Sequence, residues 1–117
     1  MPEDFTPFLP LSPAALHILL ALAAEDRHGY GIMQEVARQS SGRYKLGPAT
    51  LYENLQKLLD QGVVDEVSPR AAGNVSRRRY YRLTKFGRAL LSTEVARLER
   101  VIREAKAHLG MRPRRAS

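Results

Sequence analysis

A leucine stripe that closes on a glycine and runs at once into a β-branched segment limits this chain more than any other feature. Leu51, Leu55, Leu58 and Leu59 recur at i, i+4, i+7 and i+8, so they share one face of a helix. Gly47-Pro48 stands before them, with proline where a helix start tolerates it. Gly62 stands after them, where a left-handed residue closes a helix. Val63-Val64-Asp65-Glu66-Val67 then reads as a strand. Pro69, Gly73 and Asn74 mark a turn region over 68–75. Residues 77–83, Arg-Arg-Arg-Tyr-Tyr-Arg-Leu, read as the returning strand. The pattern predicts a helix over 48–61 feeding directly into a β-hairpin.

Two more helices precede this unit. Ser12-Pro13 supplies an N-cap and a first-turn proline. Residues 14–25 are apolar nearly all round, which predicts a helix buried on several sides. His17 lies inside it and reads as a packed or interface histidine, because no second ligand sits at helical spacing. Asp26-Arg27-His28-Gly29 reads as a turn, and a second helix over 30–40 carries Ile32, Met33, Val36 and Ala37 as its stripe. Residues 43–46 form a linker with the makings of a small strand. Residues 1–11 hold Pro2, Pro7 and Pro10, which oppose a helix. They also hold Phe5, Phe8, Leu9 and Leu11. An extended arm follows, either free or packed, and two phenylalanines favour packing on this domain or on a second copy.

Thr84 caps a last helix that extends to about 109. Its seam is Leu91, Val95, Leu98, Ile102, Ala105 and Leu109, stepping 4, 3, 4, 3, 4 as heptad positions do. The seam is too short for a free coiled coil and lies beyond the compact domain. A second copy is expected to cover it; the other arrangement is a helix folded back on the first. The expected organisation is an arm over 1–11, a core domain over 12–84, a dimerisation helix over 85–109, and a basic tail over 110–117 with Arg112, Arg114 and Arg115.

Charge adds the next constraint. The 117 residues carry 19 basic and 12 acidic side chains, a net +7. Residues 1–62 hold 5 basic and 7 acidic groups, and residues 63–117 hold 14 and 5. Seven basic residues and no acidic one lie over 70–88: Arg70, Arg77, Arg78, Arg79, Arg82, Lys85 and Arg88. Such asymmetry points to a polyanionic partner for the second half. Cysteine is absent, which excludes disulfides, thiolate metal sites and a cysteine nucleophile. No apolar run reaches membrane-span length, and Glu3 and Asp4 replace the basic start of a secretory signal. A cytoplasmic location is expected.

Three helices followed by a two-stranded wing and a long helix make a chain that is mostly α with a small β-hairpin (α+β). The architecture is a winged helix-turn-helix plus a C-terminal dimerisation helix. In that design the third helix enters the DNA major groove and the hairpin lies beside it. The expected DNA contacts are Ala49, Thr50, Tyr52, Asn54 and Lys57 on that helix, with Arg77, Arg78, Arg79 and Tyr81 on the wing. Asparagine reads adenine edges, hydroxyls hold phosphates, and guanidinium groups fork onto phosphate oxygens. Tyr52 follows core Leu51, so it either presents its hydroxyl to DNA or packs partly under the helix. Strand alternation puts Arg77, Arg79 and Tyr81 on one face and Arg78, Tyr80 and Arg82 on the other.

The chain resembles the PadR family of bacterial transcriptional regulators. The matching stretches are Leu16-His17-Ile18-Leu19-Leu20-Ala21-Leu22, His28-Gly29-Tyr30-Gly31-Ile32, Gly47-Pro48-Ala49-Thr50-Leu51-Tyr52, Leu58-Leu59-Asp60-Gln61-Gly62-Val63-Val64, and Arg79-Tyr80-Tyr81-Arg82-Leu83-Thr84-Lys85-Phe86-Gly87. The resemblance implies a homodimer on a pseudo-palindromic operator, usually repressing, with dimerisation through the C-terminal helix. It implies that Thr50, Tyr52 and the wing arginines touch DNA. Many members release DNA on binding an aromatic or drug-like molecule near the dimer interface. Phe5, Phe8, His17 and Tyr30 are candidates to line such a site; core and interface packing is their other reading. Glu53 and Asn54 follow Tyr52 where many members carry Pro or Arg, so no operator sequence carries over.

Two other classes would leave different marks on the sequence. A winged-helix module that binds protein would show an apolar outer face on the third helix, against the polar one here. An enzyme would need a nucleophile–base pair, a metal cluster or a phosphate loop. His17, His28 and His108 stand far apart in no motif, and Gly29-Tyr30-Gly31 is not a phosphate loop. No enzyme activity, metal or cofactor is expected.

Overall fold

The computed structural model describes residues 4–68 and 78–111. Arg70, Arg77, the hairpin turn with Pro69, Gly73 and Asn74, and the tail with Arg112, Arg114 and Arg115 lie outside the described residues.

Helix α1, Pro13–Ala24, begins as its sequence dictates: the Ser12 hydroxyl accepts the Ala15 N–H at 3.1 Å and Pro13 takes the first position. Ala14, Ile18, Leu19, Ala21 and Leu22 are buried, and α1 packs against the other helices and the sheet. An all-round apolar helix has this place because every face needs a partner. Strand β1, Arg27–His28, follows, and then α2, Gly29–Gln39, and α3, Pro48–Asp60. Leu51, Leu55 and Leu58 face the core, and Gly62 closes the turn with φ of 73°. Strands β2, Val64–Val67, and β3, Tyr80–Leu83, precede α4, Lys85–His108.

The sheet has three antiparallel strands in the order β1-β3-β2. Val64 pairs with Leu83 and Val67 with Tyr80; on the other side Arg27 pairs with Tyr81 and His28 with Tyr80. The residues read as a turn at 26–29 are thus partly a strand, while 43–46 do not pair. The reason is tertiary. The α1–α2 connection passes the open edge of β3, whose N–H and C=O groups need partners. Two residues leave no periodicity for a sequence pattern to show.

Strand β3 also starts later than its sequence suggests. Arg78 and Arg79 precede it, and Tyr80 and Tyr81 are both buried rather than one in and one out. Tyr81 joins the core, and Tyr80 packs edge-on against the His28 ring at 5.3 Å. Both faces of the sheet are covered at that point.

Thr84 joins the hairpin to α4. Its hydroxyl accepts the Gly87 N–H at 2.9 Å, and it donates toward the carbonyls of Gly62 and Val63. The base of α4 packs on α1. Leu91, expected on the seam, is instead buried in the chain's own core, on the part of the molecule where α4 packs against α1. Leu98 is half-buried, while Val95, Ile102, Ala105 and Leu109 are exposed as α4 runs outward. Val101 and Met111 are exposed beside them.

Residues 4–11 of the arm pack on the domain. Thr6–Phe8 makes one 3-10 turn, so it is not fully extended. The Phe5 and Phe8 rings each lie 5.4 Å from Phe86. The Leu11 N–H donates to Glu94 Oε2 at 2.9 Å. Glu94 is 1% exposed and accepts two hydrogen bonds from the Arg97 guanidinium. That hydrogen bonding holds its carboxyl below the usual glutamate range, against the opposing effect of burial.

Candidate nucleic-acid interface

The first turn of α3 projects from the body. Ala49, Thr50 and Glu53 are exposed on it, and so is Lys57 a turn further on. Leucine spacing pins the opposite face into the core, so these side chains point to solvent. Asn54 is half-buried, and its amide donates to the Thr50 carbonyl at 2.8 Å along its own helix.

The structure splits the expected contacts into two groups. Tyr52, Arg78, Arg79 and Tyr81 come together around an open cleft of about 500 Å³, with His28, Gly29 and Tyr30 of the β1–α2 corner. Tyr52 is half exposed, and its hydroxyl sits where a side chain on residue 29 would stand. Gly29 is what lets α3 and the start of α2 approach so closely. Asn54 and Lys57 line a second hollow, of about 190 Å³, beside Phe8 and Leu11 of the arm.

The basic residues divide as well. Arg82 is tied to Asp26 at 2.9 Å, and Arg88 reaches the Ala23 carbonyl at 3.4 Å. Arg79 is largely exposed and only 3.7 Å from Glu66, a loose pair of little strength. Arg78 Nη1 lies 3.2 Å from His28 Nε2. The other ring nitrogen of His28, Nδ1, accepts the Gly31 N–H at 3.0 Å and so caps α2. Burial and the Arg78 charge hold the His28 imidazole below the usual histidine range. Burial, helped by Glu66, holds the Tyr81 hydroxyl above the usual tyrosine range. Tyr81 is 3% exposed, so its ring supports the cleft more than it projects from it.

Phe8, His17 and Tyr30 do not converge on one cavity. Phe8 packs on Phe86, His17 stacks on Tyr44 at 4.7 Å, and Tyr30 lies over His28 at 6.5 Å. Their separation follows from their elements: arm, middle of α1, start of α2. None of the cavities lined by described residues holds all three.

Sequence reading missed His28 and Gly29 as site residues. The one available signal was a histidine immediately before a glycine at a helix start, where a ring nitrogen serves as cap. No cluster of metal-ligating side chains occurs among the described residues. No helix among them is long and apolar enough to cross a membrane.

Known proteins are similar to this chain in sequence and in shape. The model of the transcriptional regulator PadR-like family matches residues 18–93. A transcriptional regulator of Mycobacterium tuberculosis is 37% identical over 89 residues, covering 76% of this chain and 78% of that protein. The structure of a transcriptional regulator from Clostridium thermocellum superposes with a TM-score of 0.68 at 23% identity, over 80% of this chain and 87% of the other. A PadR family transcription regulator from Clostridium difficile superposes at 0.58 and 25% identity, over 84% and 98%.

Proposed function

The chain belongs to the PadR-like family of transcriptional regulators, and from that premise we propose that it is a homodimeric repressor of a pseudo-palindromic DNA operator. Two α3 helices enter successive major grooves about 34 Å apart. Thr50 and Ala49 meet the groove, and Tyr52, Arg78 and Arg79 hold backbone phosphates beside it. The distal seam of α4 (Val95, Leu98, Ile102, Ala105 and Leu109) is covered by the second copy. Asn54 and Lys57 stand on the arm side of α3, so their contacts are to the flank of the site. A small aromatic effector binds at a site completed by the second copy, because Phe8, His17 and Tyr30 each pack on a different ring.

One observation carries the reading: two arginines and a tyrosine hydroxyl gather at one cleft beside the exposed first turn of α3. Phosphates need fixed cations next to the element that reads the bases. The test is fluorescence anisotropy on a labelled duplex from upstream of the protein's own gene, with a scrambled duplex and a salt series. Preference for the native duplex by about 10³ or more is expected. Equal, weak, salt-sensitive binding to both duplexes overturns the specific-regulator reading.

A further inference from the structure

An imidazole flanked by two donors has a problem with one solution. His28 Nδ1 faces the Gly31 N–H at 3.0 Å, and Nε2 faces the Arg78 guanidinium at 3.2 Å. A neutral imidazole offers one acceptor nitrogen, and the charged ring offers none. The Gly31 N–H belongs to the backbone of α2 and cannot turn away. Arg78 sits at the mouth of the cleft on a long side chain that can. The backbone therefore claims the lone pair, the ring proton stands on Nε2, and the Nε2–H points at another donor. Two N–H groups converging on one point share an acceptor well when it is an oxyanion. The space is open: the pair lies on the same cleft as Arg79 and the Tyr52 hydroxyl.

We propose that His28 is a DNA-binding residue, a neutral donor whose Nε2–H shares a backbone phosphate oxygen with Arg78. The proposal rests on the DNA-binding reading and adds to it a contact from the β1–α2 corner, outside the recognition helix and the wing. Its two ring nitrogens have separate tasks. Nδ1 caps α2 and fixes the tautomer; Nε2 faces the ligand. Burial favours the neutral ring and the Arg78 charge adds to that effect; the same charge attracts the phosphate.

A neutral donor leaves a signature that a cation does not. Removing a lysine or arginine from a phosphate flattens the dependence of affinity on salt, because fewer counterions are released. Removing a neutral donor lowers affinity at every salt concentration and leaves the slope as it was. Serine caps a helix as His28 does but cannot reach the cleft. The test compares wild type, His28→Ser and Arg78→Ala on the operator duplex across a salt series, with helix content by circular dichroism as the folding control. His28→Ser is expected to bind about tenfold more weakly at unchanged slope and unchanged helix content, and Arg78→Ala to show the reduced slope. Nitrogen-15 spectra of the ring should show the proton on Nε2, with that signal moving when duplex is added.

Wild-type affinity in His28→Ser, or a ring proton on Nδ1, overturns the proposal and leaves the DNA reading standing. No duplex binding by wild type at any salt overturns both. Saturation of the His28 signal by inorganic phosphate, with normal duplex binding by His28→Ser, overturns it in favour of a free-anion site.

Discussion

Glu94, in the middle of α4, holds the backbone N–H of Leu11 at 2.9 Å across 83 residues of sequence. The carboxylate is buried between the arm and α4, and Arg97 neutralises it from the next turn. One buried acid thus joins the end of the arm, at Leu11, to the helix that leads away from the domain. Without the arm's donor and the Arg97 guanidinium it would be an unpaired buried charge.

Glu94→Ala is expected to cost about 2 kcal/mol at neutral pH, the scale of losing hydrogen bonds to a charged group. The sign with pH is set by the lowered carboxyl of the folded state. A depressed pKa contributes stability in full above the unfolded value and loses it as pH falls through the folded one. Urea unfolding at several pH values should show a constant gap between wild type and variant above about pH 5 and a shrinking gap in more acid solution. A gap that stays constant down to the acid limit would remove Glu94 from that role.

Gly87 and Gly29 are both tightly approached, but by different kinds of atom. A Cβ on Gly87 would strike the Val63 carbonyl, which is backbone and also accepts the Thr84 N–H. Gly87→Ala is expected to destabilise by about 2–3 kcal/mol in thermal or denaturant unfolding. A Cβ on Gly29 would strike the end of the Tyr52 side chain, which can swing outward. Gly29→Ala should change stability by less than about 1 kcal/mol yet weaken duplex binding, because Tyr52 leaves the cleft. Loss of folding in Gly29→Ala with normal folding in Gly87→Ala would invert this account.

Arg78→Ala and Arg79→Ala should weaken binding to native and scrambled duplexes alike. Each should lower the slope of log K against log salt by about 1 per protomer. Arg82→Ala should leave that slope nearly unchanged, since Arg82 is engaged by Asp26. Slopes that respond only to Arg82 would move the phosphate contacts from the cleft to the corner that holds Asp26.

Ile102→Glu and Leu91→Glu separate dimerisation from folding. Ile102 is 53% exposed, so a glutamate there should give a folded, half-mass species by light scattering. Leu91 is 6% exposed in the protomer core, so a glutamate there should unfold the chain, at a cost of more than about 3 kcal/mol. A full-mass dimer in Ile102→Glu would take the distal seam out of the interface.

Much of this molecule was legible before its structure was. Ser12-Pro13, Gly47-Pro48, Gly62 and Thr84 set the ends of three helices through backbone chemistry that acts within four residues. The Leu51–Leu55–Leu58 stripe set which face of α3 is buried and hence which face is open. The basic block over 70–88 placed the charge on the hairpin side. These are local or periodic signals, and short-range sterics, capping and burial period are written in the order of residues.

What remained depended on which surfaces meet. Strand β1 exists because the α1–α2 connection passes the edge of β3, and Leu91 joins the core because the base of α4 packs on the helices before it. Arg82 is bound and Arg78 is at the cleft only because Asp26 and His28 arrive from the preceding corner. The sequence determined the helices, the hairpin and the sign of the surface by itself. Tertiary packing alone decided which arginines stand at the site, because a side chain's partner is set by distance in space and the chain order does not encode it.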